Sequence, residues 1–132
     1  MSLVLADTSV WIDFFSLPGS PFAKELDSYL ENNLVCTTDP VITEILSGCR
    51  SEKHFRKLNT YLQALPKISP PANTWERVAL YRFRLARKGV QVGIPDLLIA
   101  ITASEHQRVL FTKDQQFKAI SKVIPLELKL GV

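Results

Sequence analysis

The chain has 132 residues, 46% of them hydrophobic and 22% charged, with 16 lysines and arginines against 13 acids and a net charge of +3. That length reads as one domain, residues 1–132, able to bury roughly 65–70% of its extended surface. No apolar run reaches the ~20 residues that span a bilayer and no secretory leader opens the chain, so the expectation is a soluble, cytoplasmic protein with no membrane partner.

The first predicted element is the strand Leu3–Ala6, which delivers a carboxylate, Asp7, at its tip with Thr8 and Ser9 beside it. Phe22–Glu31 has the spacing of an amphipathic helix, and Leu34–Thr37 is a second short apolar strand. Asp39-Pro40 opens a helix, with Asp39 as its cap and Pro40 at the first helical position. It runs to about Ser47, where Gly48 closes it. At ~100° per residue, Val41, Ile42, Ile45 and Leu46 share one arc and Glu44 stands at its margin. Glu52–Gln63 is the next helix. The breaker-rich stretch Leu65–Thr74 reads as a strand or loop leading into the longest helix, Pro71–Lys88. That helix carries Trp75, Val78, Ala79, Leu85 and Ala86 on one face, with Gly89 past its end. A helix opening at Pro95-Asp96 is apolar on nearly every side through Ala103, which marks it as buried. Val109–Thr112 is the third strand, with Asp114 just beyond it; Val123–Leu128, interrupted by Pro125, is the fourth. Short apolar runs separated by helices argue for parallel strands with crossover helices, an α/β sandwich. Cys36 and Cys49 fall on different elements and, with His54 and His106, match no zinc-ligand spacing; both cysteines read as core or half-buried residues.

In open parallel sheets, chemistry collects beyond the carboxyl ends of the strands. Asp7, Asp96 and Asp114 stand at helix starts that adjoin strand ends, and Glu44 can lean over the sheet's edge. Singly, each Asp has a plain use as a helix cap, and Glu44 as a solvated helix residue. Jointly they point to one cleft, and Lys113 is the only cation adjacent to any of them in sequence. Carboxylates at close range repel one another, and a divalent cation resolves that repulsion. Oxygen-only donors with no His or Cys suit a hard ion such as Mg²⁺ or Mn²⁺, and such a site suits phosphoryl chemistry.

The segments LADTSVWIDFF, ITEIL, GIPDLLIA and LFTKDQQF, in that order, resemble the PIN-domain family, in particular the VapC-type toxin ribonucleases of toxin–antitoxin pairs. The resemblance implies a PIN-like α/β/α sandwich with a short, mostly parallel central sheet. It implies a Mg²⁺- or Mn²⁺-dependent endoribonuclease acting on RNA such as tRNA, a homodimer, and inhibition by an antitoxin whose segment fills a groove near the active site. It places the family's catalytic, metal-binding acids on Asp7, Glu44, Asp96 and Asp114. The hydroxyl beside the first acid falls on Thr8 or Ser9, and the Thr of the last motif on Thr112. Thr8 reads as the cap of the first helix, and Ser9 as the group that orders a water or phosphate. The last motif often carries a second Asp two residues after the first. Here that position holds Gln116, whose amide can bind a water or phosphate but removes a charge from any second metal position.

Setting the four acids aside leaves nine against 16 basic residues, a remainder of +7. A basic exterior around an acidic pocket favours a polyanion such as RNA. The basic residues gather as Arg50, Lys53, Arg56 and Lys57, then Arg77, Arg82, Arg84, Arg87 and Lys88. Each cluster reads as an RNA-contacting face or a solvated one, with an antitoxin or a second copy as other occupants. Trp11, Phe14 and Phe15 divide between core and groove, and His54 and His106 read as surface residues. Three rivals stand beside the nuclease. A receiver-like phospho-accepting domain wants an acidic pair after the first strand, where only Asp7 stands. An aspartyl-phosphate phosphatase wants an acid where Ser9 is. A PIN relative that binds RNA without turnover draws support from Gln116.

Overall fold

Four short strands, β1 (Val4–Ala6), β2 (Val35–Cys36), β3 (Val109–Thr112) and β4 (Leu128–Leu130), form one sheet in the order β2-β1-β3-β4. The computed structural model describes residues 3–130. Every pairing is parallel: Val4 stands opposite both Val35 and Val109, and Leu110 opposite Leu128. β1 and β2 are buried throughout and carry no hydrophobic-polar alternation, as strands covered on both faces do.

Seven helices complete the described fold: α1 (Thr8–Ser16), α2 (Pro21–Glu31), α3 (Asp39–Ser47), α4 (Glu52–Gln63), α5 (Thr74–Arg87), α6 (Ile94–Glu105) and α7 (Phe117–Ile120). Every residue from Leu97 to Ala103 of α6 is buried, as its all-round apolar sequence requires. α6 packs on α3, α5, α7 and β3, and α1 on α2, α3 and β3. On α3 the predicted arc is met, with Val41, Ile42, Ile45 and Leu46 buried and Glu44 exposed at its edge. Cys36 is buried, Cys49 half-buried, and both are free thiols. Among the described residues no helix is long and apolar enough to cross a membrane.

Several expectations need correction. The cap of α3 is Thr38, not Asp39; Asp39 lies in the first turn and its carboxylate binds Lys67 at 3.1 Å. Gly48 ends that helix at φ −89°, so the left-handed freedom of glycine goes unused there. Gly89, at φ +80° just past α5, does use it. α5 begins at Thr74 rather than Pro71, because Pro71–Thr74 closes a turn in which the Thr74 N–H and hydroxyl both donate to the Pro71 carbonyl. On α5 only Val78 and Leu85 of the predicted face are buried, while Trp75 is 68% exposed. The fourth strand lies beyond Pro125 instead of spanning it: proline has no N–H for the ladder, and pairing starts with Leu110 N–H donating to the Glu127 carbonyl. The stretch before α5 is a loop, with one bridge between Lys67 and Thr37.

From β1 the chain runs to β2 on one side, then crosses back to β3 on the other. The reversal opens a crevice at the carboxyl ends of β1 and β3.

Candidate active site

The sheet itself sets the first acid. The Asp7 N–H donates to the Phe111 carbonyl at 3.0 Å, continuing the β1–β3 ladder by one residue. Asp7 has extended backbone and caps α1, its carboxylate accepting from the Val10 N–H at 3.3 Å. Thr8, read from sequence as the cap, is instead the first helical residue. Its hydroxyl donates to Glu44 Oε1 at 3.0 Å and ties α1 to α3.

Asp7 is 5% exposed. Ser9 Oγ donates to Oδ1 at 2.5 Å and Thr112 Oγ1 to Oδ2 at 2.6 Å. A carboxylate offers about four acceptor positions, so with the Val10 bond roughly one is left. Burial pushes the Asp7 carboxyl up from its ordinary value, and these hydrogen bonds oppose the push. Ser9 therefore serves the first acid directly and also accepts from the Lys113 N–H at 3.1 Å.

Thr112, fully buried, also accepts from the Asp114 N–H at 2.9 Å, so one hydroxyl orients two acids. Asp114 Oδ1 accepts from the Gln116 N–H at 2.9 Å. Asp96 lies in the first turn of α6, whose cap is Gly93. Asp7, Glu44, Asp96 and Asp114 line one pocket of about 220 Å³, with Thr8, Ser9, Ile12 and Ile99 completing its wall. Burial first, then the charges of Asp114, Glu44 and Asp7, raise the Asp96 carboxyl to about 6.

Among the described residues no three carboxylate, imidazole or thiol groups form a ready-made metal cage. The donor chemistry nonetheless fits a hard divalent cation. The pocket wall holds four carboxylates and neither imidazole nor thiol, and their mutual repulsion is what a cation relieves.

Lys113 does not neutralise the cluster. Its ammonium binds Asp13 Oδ2 at 2.7 Å and lies 5.2 Å from the centre of the Phe22 ring, turned toward α1 and α2. The Gln116 amide donates to the Gln91 carbonyl at 2.5 Å.

Beside the acids runs an apolar groove of about 380 Å³, lined by residues that include Ile12, Phe15, Ile45 and Leu58. Ile12 and Glu44 border both the groove and the pocket. Trp11 is fully buried while Phe15 faces the groove, the division expected of that aromatic set. Arg50 and His54 also line the groove. Lys53, Arg56 and Lys57 are exposed on α4, where Arg56 pairs with Glu52 at 3.0 Å. On α5, Arg84 and Arg87 are exposed, with Arg87 4.6 Å from the Phe83 ring centre. Arg77 is engaged by Glu105 and Arg82 by the Val92 carbonyl. His106 meets the Ser69 carbonyl, away from the acids. Sequence reasoning missed Ile12, Ile99, Asp13 and Gln91; the first two carry apolar side chains with no chemical signal, and the others act through partners 25 to 100 residues away.

The PIN domain matches residues 4–123 of this chain. Ribonuclease VapC11 of Mycobacterium tuberculosis is 28% identical over 129 residues, covering 95% of this chain and 96% of that protein. Ribonuclease VapC21 of the same organism is 31% identical over 101 residues, 74% of this chain and 73% of that one. Among solved structures, VapBC2 from Rickettsia felis, bound to a DNA fragment from its promoter, matches with a TM-score of 0.76 at 25% identity. It covers 97% of this chain and 98% of its own.

Proposed function

This chain belongs to the PIN-domain family, and on that premise we propose that it is a Mg²⁺- or Mn²⁺-dependent endoribonuclease of VapC type, working in the cytoplasm and held in check by a cognate antitoxin. One observation carries the reading: Asp7, Glu44, Asp96 and Asp114, from four separate segments, border a single pocket at the strand ends, where burial and the charges of the other three raise the Asp96 carboxyl.

A divalent cation held by these carboxylates would offset the approach of a phosphodiester and acidify a water for attack. The protein's own part is orientation. Ser9 and Thr112 aim both oxygens of Asp7, Thr112 and Gln116 set Asp114, and Thr8 turns Glu44 toward the pocket. Ile12 and Ile99 wall the pocket with apolar surface, which strengthens the electrostatics inside. The basic residues Arg50, Lys53, Arg56, Arg84 and Arg87 supply the field that gathers RNA, tRNA or another structured RNA among the candidates.

The groove that shares Ile12 and Glu44 with the pocket supports the antitoxin's seat. The exposed apolar face of α5, with Trp75 at 68% and Phe83 at 55% exposure, supports a homodimer. A phospho-accepting role fits Asp7 poorly, since both its oxygens hold hydroxyl donors and it is nearly inaccessible.

The test incubates the purified protein with total RNA in Mg²⁺, in Mn²⁺ or in EDTA, beside Asp7→Asn and Asp96→Asn variants checked for folding. Cleavage should require the cation and both carboxylates. Cleavage that persists in EDTA, or in both variants, ends the proposal. Stable RNA binding with no cutting in any metal would favour the RNA-binding relative instead.

A further inference from the structure

We propose that Gln116 is a positioning residue whose side-chain amide fixes Asp96 relative to Asp114. Its catalytic meaning rests on the nuclease reading; its geometry does not. Gln116 touches both acids' supports at once. Its backbone N–H donates to Asp114 Oδ1 at 2.9 Å, and its Nε2 donates to the Gln91 carbonyl at 2.5 Å. Gln91 begins the lead-in to α6. Val92 is 4% exposed and its carbonyl accepts from Arg82 Nε at 3.2 Å; Gly93 caps the helix; Asp96 follows in the first turn. The lead-in is thus gripped at two consecutive carbonyls, once from α5 and once from the loop that carries Asp114.

That loop is itself anchored on its other side. Lys113 binds Asp13 of α1, and the Lys113 N–H donates to Ser9. Asp114 therefore hangs between an anchor to α1 and an anchor to the α6 lead-in. Only the second is shared with Asp96. α6 is clamped by its buried residues from Leu97 onward, and Asp96 precedes them in the first turn.

The chemistry asks for an amide at this place. The Gln91 carbonyl is an acceptor and needs a donor. A carboxylate at position 116 would face that carbonyl with no proton to give and would add a negative charge beside Asp114. The neutral Gln here is what the geometry uses, not a metal ligand that has been lost.

The test compares wild type, Gln116→Glu and Gln116→Ala. Gln116→Glu keeps the shape and replaces the donor with an acceptor. Hydrogen exchange over residues 91–97 reads the clamp, titration with Mn²⁺ alone reads the acids' arrangement, and steady-state cleavage reads its use. Both variants should exchange about fivefold faster over that segment, the effect of one lost hydrogen bond. Mn²⁺ should bind roughly tenfold more weakly, and kcat should fall while the KM for RNA stays within about twofold. The thermal midpoint should stay within about 3 °C of wild type, which separates positioning from general loss of structure. Unchanged exchange in both variants overturns the proposal, as does Mn²⁺ affinity in Gln116→Glu equal to or tighter than wild type. Should the wild-type protein cut no RNA, the nuclease reading falls, and exchange over 91–97 still decides the clamp.

Discussion

Replacing Asp96 with asparagine should make the metal-free protein more stable at neutral pH. Asp96 lies in the first turn of α6, where the helix N-terminus favours a negative charge by ~0.3–1 kcal/mol. Burial and three neighbouring carboxylates outweigh that, raising its pKa from 3.8 to about 6. The folded state thus holds this proton more tightly than the unfolded chain does. The resulting stabilisation is complete below about pH 4 and is lost as the pH rises through about 6. At ~1.4 kcal/mol per pH unit the shift is worth at most about 3 kcal/mol at pH 7.5. Asp96 is partly exposed, and solvent screening reduces this to roughly 1–2 kcal/mol. Asparagine has the same shape and cannot ionise. Thermal or urea unfolding in EDTA, followed by circular dichroism, should show Asp96→Asn more stable than wild type by that amount at pH 7.5. That corresponds to about 3–8 °C in the midpoint. At pH 4.5 the gap should shrink to roughly a third. Mg²⁺ should raise the midpoint of the wild type more than that of the variant. A gap of equal size at both pH values, or a less stable variant at pH 7.5, would refute the reasoning.

Thr112→Val keeps the shape of a fully buried side chain and strips the hydroxyl from Asp7 and Asp114. Chemical denaturation should show a loss of about 1.5–3 kcal/mol, with cleavage falling further than stability does. Asp13→Ala leaves Lys113 unpaired on a half-exposed ammonium. A loss of about 1–2 kcal/mol is expected in the same assay, and no change would mean that the pair is incidental. Arg56→Glu and Arg84→Glu, both on exposed helix faces, should weaken RNA binding at low salt and flatten its dependence on ionic strength. Unchanged binding isotherms would assign those faces to solvent.

Much of this arrangement is legible from sequence because it depends on local pattern. The apolar run of α6 could only be buried, and the first and third apolar strands, with Asp7 and Asp114 just past their ends, present those acids at the sheet's carboxyl edge. Helical angle alone places Glu44 at the margin of its helix. What escaped depends on geometry between distant segments. Asp7, Thr8 and Ser9 are all capping residues, and only the extended backbone of Asp7 decides that it caps and Thr8 does not. Of Gln116 the sequence shows only the charge it lacks, because its partner is a backbone carbonyl that leaves no mark there. Lys113 adjoins Asp114 in sequence and pairs instead with Asp13, 100 residues distant. Trp75 follows the helical period of α5 faithfully, but periodicity says which face is apolar and not whether anything covers it.

Ile12 and Glu44 form a party wall: one side faces the acids, the other the apolar groove. A mutation that reshapes this wall from the groove side also deforms the chamber behind it. If the groove seats an inhibitor as proposed, escape from it and competence to cut are not separately adjustable, and the chain would drift under selection only in step with that partner.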